Sequence, residues 1–442
     1  MKRFLIGLLC TAFQLGAERL EAGVSMADIT PPAGFEMWGA AGRKGFAEST
    51  LDPLFVRALV LRHGSVSLAL VTLDLGRTFG REQMDRVRRD VGRSAGITHL
   101  IFAASHTHTG PNILDDRYLT AGRWEPEALR RITVAIEAAG RKLSPATIGV
   151  AKGASYIGHN RQDGPAGPLG VNITGVRTAP QDPIVTVVRI DGQNGEPIAI
   201  LAHYAAHPVV LNHLTRYSAD FPGAMSEFVR NEWNGKPVVF FLQGACGDIN
   251  THEVAVGERT VEARRSGIAL GRVVAQVSRQ IHTTAGTDSL QIAEDEMSFP
   301  ARWNLAKLRS MNAPPTYYQW LVTGRPIGYP PDIVTAPVVT VLINRSLAMI
   351  TMPGEPYVDL QIDLRERLPE VETMLLGYAN GYLGYLPTLR AAARDGTFYG
   401  ANAWPTIVSA GTPERLLDRG IIRVLEFLGK LKPEEESFHE PR

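Results

Sequence analysis

Two histidines separated by one residue stand where an apolar run of the sequence ends. The stretch LIFAASHTHTGPN, residues 100–112, places His106 and His108 between small or apolar residues and a Gly-Pro pair. In an extended segment, side chains at positions i and i+2 project from the same face, so we expect the two imidazoles to point the same way. Imidazole nitrogens on one face can bind a metal ion or transfer protons. The alternative is that both residues merely end a strand with polar side chains.

Other chemically capable side chains also follow apolar runs of the sequence. These are His207 in AILAHYAAHP, Asp248 and Asn250 after VVFFLQGACG, Glu355 after AMITMPG, and Tyr382 and Tyr385 in YANGYLGYLPT. Ligands of open α/β sheets bind outside strand ends, so several such ends can form one site. A structural role, such as a helix cap, is the alternative for each residue alone, whereas the joint pattern favours a site.

A catalytic zinc site would suit this set of residues. Such a site needs about three protein ligands and one open position, which two histidines and a carboxylate can satisfy. Bound zinc lowers the pKa of water to about 7 and so supplies a nucleophile at neutral pH. A helical His-Glu-x-x-His motif is absent from the sequence. The residues after His108 are Thr109 and Gly110, not the Asp and His that follow His-x-His in metallo-β-lactamases.

The composition is that of an ordinary globular protein. The 442 residues include 46 Lys and Arg against 45 Asp and Glu, a formal net charge of +1. A charge so close to zero argues against nucleic acid or an anionic membrane surface as a partner. Strands and helices alternate along the chain with hairpins among them, and this pattern predicts a layered α/β domain with a mixed sheet. We expect a single domain over residues 23–430, a long surface excursion over residues 302–337, and a polar tail over residues 431–442.

The N-terminus has the pattern of a secretory signal peptide. Lys2 and Arg3 precede an apolar run over residues 4–13, and small residues follow up to Ala17. The run is too short to span a membrane. We expect residues 1–22 to contain the leader, with cleavage after Ala17 or Ala22, and the mature protein to be secreted or periplasmic. Cys246 is then the only remaining cysteine, so no disulfide framework is expected.

Motifs along nearly the whole mature chain resemble one known family. In order, they are GVSMADITPP, SHTHTGPN, GHNRQD, AAHPVVLN, SADFPG, QGACGDIN, PGEP and YANGYLGYLPT. Their order and context resemble the neutral/alkaline non-lysosomal ceramidases, from about Gly23 to about Gly429. The resemblance implies the layered mixed-sheet α/β fold of the ceramidase catalytic domain and one bound zinc ion. We expect the family's C-terminal immunoglobulin-like domain to be missing.

The resemblance also implies roles for individual residues. The implied zinc ligands are His106, His207, Glu355 and Tyr385, and Tyr382 is the alternative tyrosine. His108 resembles the residue that transfers a proton or contacts the transition state. Arg161, in HNRQD, resembles a substrate-binding arginine, although it could instead pair with Asp163. Tyr399 resembles a later tyrosine of the substrate pocket.

One departure from the family concerns the substrate. Asn250 stands where the ceramidases have a serine that is essential to amide cleavage. Asparagine cannot act as a hydroxyl nucleophile or hydroxyl relay, but its amide can hold a substrate oxygen or water. We therefore expect an exported zinc-dependent hydrolase of an amide (C–N) or ester bond in a small-molecule or lipid-like substrate other than ceramide, without a membrane span. The alternative is a secreted, non-catalytic binding protein with a ceramidase-like fold that has lost its enzymatic activity.

Overall fold

The structure is a computed structural model, and it describes most of the chain. The described residues are 19–40, 43, 45–113, 122–162, 179–251, 259–285, 289–302, 332–394 and 406–433. Outside the described residues lie the part of the expected leader before Arg19, Asp163, Tyr399, most of the expected excursion and the end of the expected polar tail. The expected domain limits stay predictions.

The described elements alternate much as the sequence pattern indicates. The strands are β1 (Glu21–Asp28), β2 (Ser49–Thr50), β3 (Phe55–His63), β4 (Val66–Leu73), β5 (His99–Ala104), β6 (Ser144–Ala154), β7 (Gly158–Asn160), β8 (Ile184–Gly192), β9 (Pro197–Tyr204), β10 (Arg216–Tyr217), β11 (Val238–Gln243), β12 (Ile249–Thr251), β13 (Leu290–Pro300), β14 (Ile333–Ile343), β15 (Leu347–Thr351), β16 (Glu355–Pro356), β17 (Glu372–Leu376) and β18 (Tyr385–Leu386). The helices are α1 (Arg81–Ala95), α2 (Glu125–Gly140), α3 (Asp220–Glu232), α4 (Arg259–Gln280), α5 (Val358–Arg367), α6 (Leu389–Arg394) and α7 (Thr412–Phe427). None of the helices in these ranges has both the length and the apolar character needed to cross a bilayer.

The largest sheet has eight strands in the order β11-β9-β8-β6-β1-β3-β4-β5. The β11–β9 and β4–β5 pairs are parallel and the other pairs are antiparallel, so the sheet is mixed as predicted. The β3–β4 hairpin turns at Gly64, where a φ of 58° favours a residue without a Cβ atom. Gly96 ends α1 in the same left-handed region, at a φ of 64°.

A second sheet packs against the first and buries the central core. Its order is β13-β14-β15-β17. The alternation of side chains along β3 shows the layering: Val60 faces the helix side of the large sheet, whereas Leu59 and Leu61 face the second sheet. Val341 of β14 lies in the same inter-sheet core, and Leu342 packs on the opposite face towards α5 and α7. The described chain is therefore a layered α/β domain, as the sequence predicts.

Three short pairings place loop residues at the strand ends. β7 pairs antiparallel with β12, and β16 pairs parallel with β18. An isolated bridge joins Ala103, near the end of β5, to Ala379, which follows β17. The loops after β5, β9, β15 and β17 therefore meet where the two sheets adjoin.

Candidate metal centre

Two imidazoles and one carboxylate converge from three distant segments. His106 follows β5, His207 follows β9, and Glu355 begins β16. The Nε2 atoms of His106 and His207 lie 3.5 and 3.1 Å from the same oxygen of Glu355, Oε2. The three side chains are only 1, 0 and 2 % exposed, respectively. The structure thus brings together three of the four residues that the ceramidase resemblance implies as zinc ligands.

The expected reason for the proximity of His106 and His108 is wrong. β5 ends at Ala104, and His106 has a φ of 67°, so the segment is not extended and simple strand alternation does not apply. The backbone turns at His106 and brings the Nε2 atom of His108 to 3.1 Å from that of His106. The two rings are perpendicular, with centroids 4.7 Å apart. The two imidazoles nevertheless lie close together. The left-handed backbone conformation at His106, and not strand alternation, brings them to the same side.

His108 gives the cluster a third imidazole. One ring nitrogen each of His106, His108 and His207 lies within 4.8 Å of the others. His106 and His207 are buried, whereas His108 is half-buried. His108 therefore lies on the more open side of the cluster.

Backbone carbonyls fix the orientation of the two buried rings. The Nδ1 atom of His106 lies 2.6 Å from the carbonyl oxygen of Gly76, and that of His207 lies 3.1 Å from the carbonyl oxygen of Ile249. Such contacts place the proton on Nδ1 and direct the Nε2 lone pair towards the common point. This is the outer hydrogen bonding that metal-ligating histidines typically show.

Tyrosines surround the carboxylate of Glu355. The hydroxyl of Tyr382 donates to Oε1, and that of Tyr378 donates to Oε2 at 3.4 Å. The ring of Tyr378 stacks on His106 at a centroid distance of 4.0 Å. Tyr385 is the register partner of Glu355 in the β16–β18 pair. Of the two candidate tyrosines, Tyr382 therefore contacts the carboxylate through its hydroxyl, whereas Tyr385 pairs with Glu355 through its backbone.

The protonation states of the cluster suit metal binding. Burial, reinforced by the charges of His106 and His207, holds the pKa of His108 well below its ordinary value. Burial likewise lowers the pKa of His207 to about 4. Burial opposes ionisation of Glu355, but the charges of and hydrogen bonds from His106 and His207 prevail and hold its pKa well below the usual range. A metal ion at this point would replace the protons through which the imidazoles contact the carboxylate, because metal ligands bind in their deprotonated forms.

The spacing of the donor atoms fits a small cation. Zinc bonds of about 2.0–2.1 Å in a tetrahedron place neighbouring ligand atoms about 3.3 Å apart. The contacts of His106 and His207 with Glu355, at 3.5 and 3.1 Å, lie on either side of that value. Nitrogen and carboxylate donors suit zinc, but other transition metals accept the same set, so the donors alone leave the metal open.

Arg161 and Asn250 also lie beside the cluster. The guanidinium of Arg161 stacks over the ring of Tyr385 at 5.1 Å and donates to the carbonyl oxygen of Gly247. Asn250 pairs with His207 through a parallel bridge. Both residues are thus next to the candidate ligands. The alternative partner of Arg161, Asp163, and the expected pocket residue Tyr399 lie outside the described residues.

Sequence reasoning missed three residues of this site. Tyr378 lies in the same YANGYLGY motif, but only its later tyrosines were considered. Trp38 packs edge-to-face on Tyr382, with centroids 5.3 Å apart, and no nearby motif indicates this. His159 is the cross-strand partner of Asn250. Its position in GHNRQD, two residues before Arg161, is a signal that could have indicated it.

Comparison with known proteins identifies the fold. No protein-family model matches the chain. The solved structure of neutral ceramidase from Pseudomonas aeruginosa matches with a TM-score of 0.74 and 17% identity, over 95% of this chain and 76% of that chain. A solved structure of a ceramidase complexed with C2 matches with a TM-score of 0.73 and 17% identity, over 96% of this chain and 77% of that chain. The chain therefore has the mixed α/β fold of the neutral ceramidases.

Proposed function

We propose that this chain is an exported, zinc-dependent hydrolase that cleaves an amide (C–N) or ester bond in a substrate other than ceramide. The observation that carries the proposal is the convergence of His106, His207 and Glu355 on one buried point. The likeness to ceramidase structures supports a hydrolase on this fold. His106, His207 and Glu355 would hold the metal, with Tyr385 as the fourth ligand.

The side chains around this point match the needs of acyl-group hydrolysis. Zinc in such a donor set acts as a Lewis acid and supplies a nucleophile at neutral pH. His108 is the most accessible of the three imidazoles. An imidazole at this position can take a proton from water and return it to the leaving group. Arg161, stacked on Tyr385, supplies positive charge for a developing oxyanion.

The sequence contains the Gly-x-Ser-x-Gly spacing of serine hydrolases, but the structure lacks the strand-to-helix turn that this mechanism needs. Residues 92–96 read GRSAG, which has Gly-x-Ser-x-Gly spacing. A nucleophile elbow needs a sharp turn from a strand into a helix. Ser94 instead lies in the last turn of α1, and its hydroxyl donates to Glu137 at 2.6 Å. The metal centre is therefore the better candidate for the chemistry.

A substrate other than ceramide is expected because Asn250 stands where the ceramidases have their essential serine. Asparagine has no hydroxyl that could act as a nucleophile or a proton relay. We expect no appreciable release of sphingosine from short-chain or long-chain ceramides, and rapid zinc-dependent release would overturn this part of the proposal.

A screen of acyl-amides, esters and lactones tests the hydrolase directly. Zinc-dependent turnover that is lost in His106→Ala and His207→Ala is expected. His213→Ala is the matched control, because His213 is exposed and outside the cluster. The absence of turnover for every substrate class would favour the second candidate, a non-catalytic binding protein. The replacement of the family's serine by Asn250 favours that candidate, whereas the intact donor set opposes it.

The leader sequence supports export. Leu20 and Ala22 are buried, and Ala22 lies within β1. Cleavage after Ala22 would therefore remove part of a packed strand, whereas cleavage after Ala17 leaves β1 whole. N-terminal sequencing of protein recovered outside the cytoplasm is expected to begin at Glu18.

A further inference from the structure

The amide oxygen of Asn250 is a buried acceptor without a donor. Asn250 is 6 % exposed, and among the described residues its Oδ1 atom has no hydrogen-bond partner. A buried polar atom without a partner is costly, and such atoms in native structures call for an explanation. A donor supplied by a bound ligand would remove that cost.

The strand register places this acceptor beside the metal centre. Asn250 pairs with His207 on one side and with His159 on the other. Register partners project from the same face, so His207, Asn250 and His159 form one row, with adjacent strands about 4.8 Å apart. The opposite face of the β7–β12 pair is closely packed. A Cβ atom on Gly158 there would lie only 2.9 Å from the side chain of Ile249. The side chain of Asn250 is thus one strand spacing from a candidate metal ligand.

We infer that the Oδ1 atom of Asn250 accepts a hydrogen bond from the N–H group of a secondary amide at the scissile bond. Asn250 is then a specificity-determining residue that selects secondary amides over esters and tertiary amides. This inference rests on the proposed hydrolase function and narrows its substrate class. The physical basis is that an ester or an N-methyl amide lacks the N–H group and leaves the buried oxygen unpaired. Sites built to bond a substrate N–H discriminate strongly against analogues that lack it.

Three matched acyl substrates test the inference: a p-nitroanilide, its N-methyl derivative and the p-nitrophenyl ester. The parent protein is compared with Asn250→Leu, which keeps the size of the side chain but removes the acceptor. The three substrates differ in intrinsic reactivity, but this difference cancels because each substrate is compared between the parent and the variant. We expect Asn250→Leu to lower kcat/KM for the anilide by about ten- to a hundredfold while changing the ester and the N-methyl anilide by less than about threefold.

Thr251→Val is the matched control from the opposite face of β12. The hydroxyl of Thr251 donates to the backbone oxygen of His207 at 3.3 Å. Removing this hydroxyl therefore alters a contact within the protein and no contact with the substrate. We expect Thr251→Val to change all three substrates by a common factor. A common factor for Asn250→Leu as well would overturn the inference, because it would assign Asn250 a merely structural role.

Equilibrium binding separates failure of the inference from failure of the proposed function. The affinities of the anilide and its N-methyl derivative are measured on the zinc-loaded parent, which requires no variant to fold. Binding of the anilide at least about tenfold tighter supports the contact even if neither compound is cleaved, in which case the hydrolase proposal alone fails. Equal affinities would overturn the contact whether or not turnover occurs.

Discussion

The Nε2 atom of His207 lies 3.1 Å from the Oε2 atom of Glu355, although 148 residues separate them in the chain. His207 follows the large sheet and Glu355 follows β15 of the second sheet, so the contact joins the two layers. Both side chains are buried. Burial lowers the pKa of His207 to about 4, whereas the neighbouring imidazoles hold the pKa of Glu355 well below its usual range. An ionised carboxylate in the interior needs a compensating positive charge, and a metal ion bound here would supply one.

The hydroxyl of Tyr382 is expected to support the metal ligand Glu355. Tyr382→Phe removes the hydrogen bond to Oε1 and leaves the packing against Trp38 in place. Loss of such an outer contact typically weakens metal binding by about ten- to a hundredfold. Competition with a chromogenic chelator measures the zinc affinity. Tyr378→Phe is the control and should have a smaller effect, since its contact with Glu355 is longer at 3.4 Å. Equal affinities for Tyr382→Phe and the parent would contradict the assignment.

Gly76 is expected to be essential to the position of His106. Its carbonyl oxygen accepts from the Nδ1 atom of His106, and a Cβ atom on Gly76 would lie 2.0 Å from the ring of Trp38. Gly76→Ala must therefore shift that backbone or the indole, and we expect zinc affinity to fall by about tenfold or more.

Gly92→Ala is the matched control for Gly76→Ala. A Cβ atom there would meet only the backbone oxygen of Ile97 at 3.5 Å, which is an ordinary contact. Gly92 lies inside α1, so alanine should stabilise the protein by up to about 1 kcal/mol without changing zinc affinity. Equal zinc affinities for the two variants would show that the carbonyl of Gly76 does not orient the metal ligand.

Asp220 is expected to make the stability of the protein depend on pH. Burial raises the pKa of Asp220 from 3.8 to about 7 in the folded state. Ionisation therefore costs the folded state more than the unfolded state, and the parent loses stability as pH rises from about 4 to about 7. Asp220→Asn cannot ionise. The free energy of unfolding of this variant minus that of the parent should therefore increase with pH, by at most about 1.4 kcal/mol per pH unit, and level off above pH 7.

Denaturant titrations of both proteins between pH 5 and pH 8 measure this difference. Asp220 also accepts hydrogen bonds from the backbone N–H groups of Leu211 and Phe221, so a constant loss of stability in Asp220→Asn is expected as well. That constant does not affect the slope. A difference that is flat or falls with pH would show that burial does not raise the pKa of Asp220.

Local patterns predicted some elements of the fold and missed others. Apolar alternation and the positions of two glycines indicate the β3–β4 hairpin, with its turn at Gly64, and the helix that ends at Gly96. β13 was not predicted, because its segment, LQIAEDEMSFP, has acidic residues where a strand shows apolar alternation. The segment is nevertheless a strand, because it pairs with β14 along its whole length, and the local sequence pattern does not contain this pairing.

The candidate site was predictable in its residue types but not in its geometry. The ceramidase resemblance named His106, His207 and Glu355, which the structure brings together. The positive φ of His106 could not be predicted, because the contacts that hold it come from other segments, such as the carbonyl of Leu75. The position of Asn250 beside His207 likewise depends on strand register, which a linear motif does not contain.

The zinc content of the purified protein tests the central claim most directly. The metal is removed with a chelator, zinc is restored, excess zinc is dialysed away, and the remaining metal is counted by mass spectrometry. We predict one tightly bound zinc ion per chain in the parent and in His213→Ala, and its loss in His106→Ala, His207→Ala and Glu355→Gln. A parent that retains no stoichiometric zinc, or cluster variants that retain as much as the parent, would contradict it.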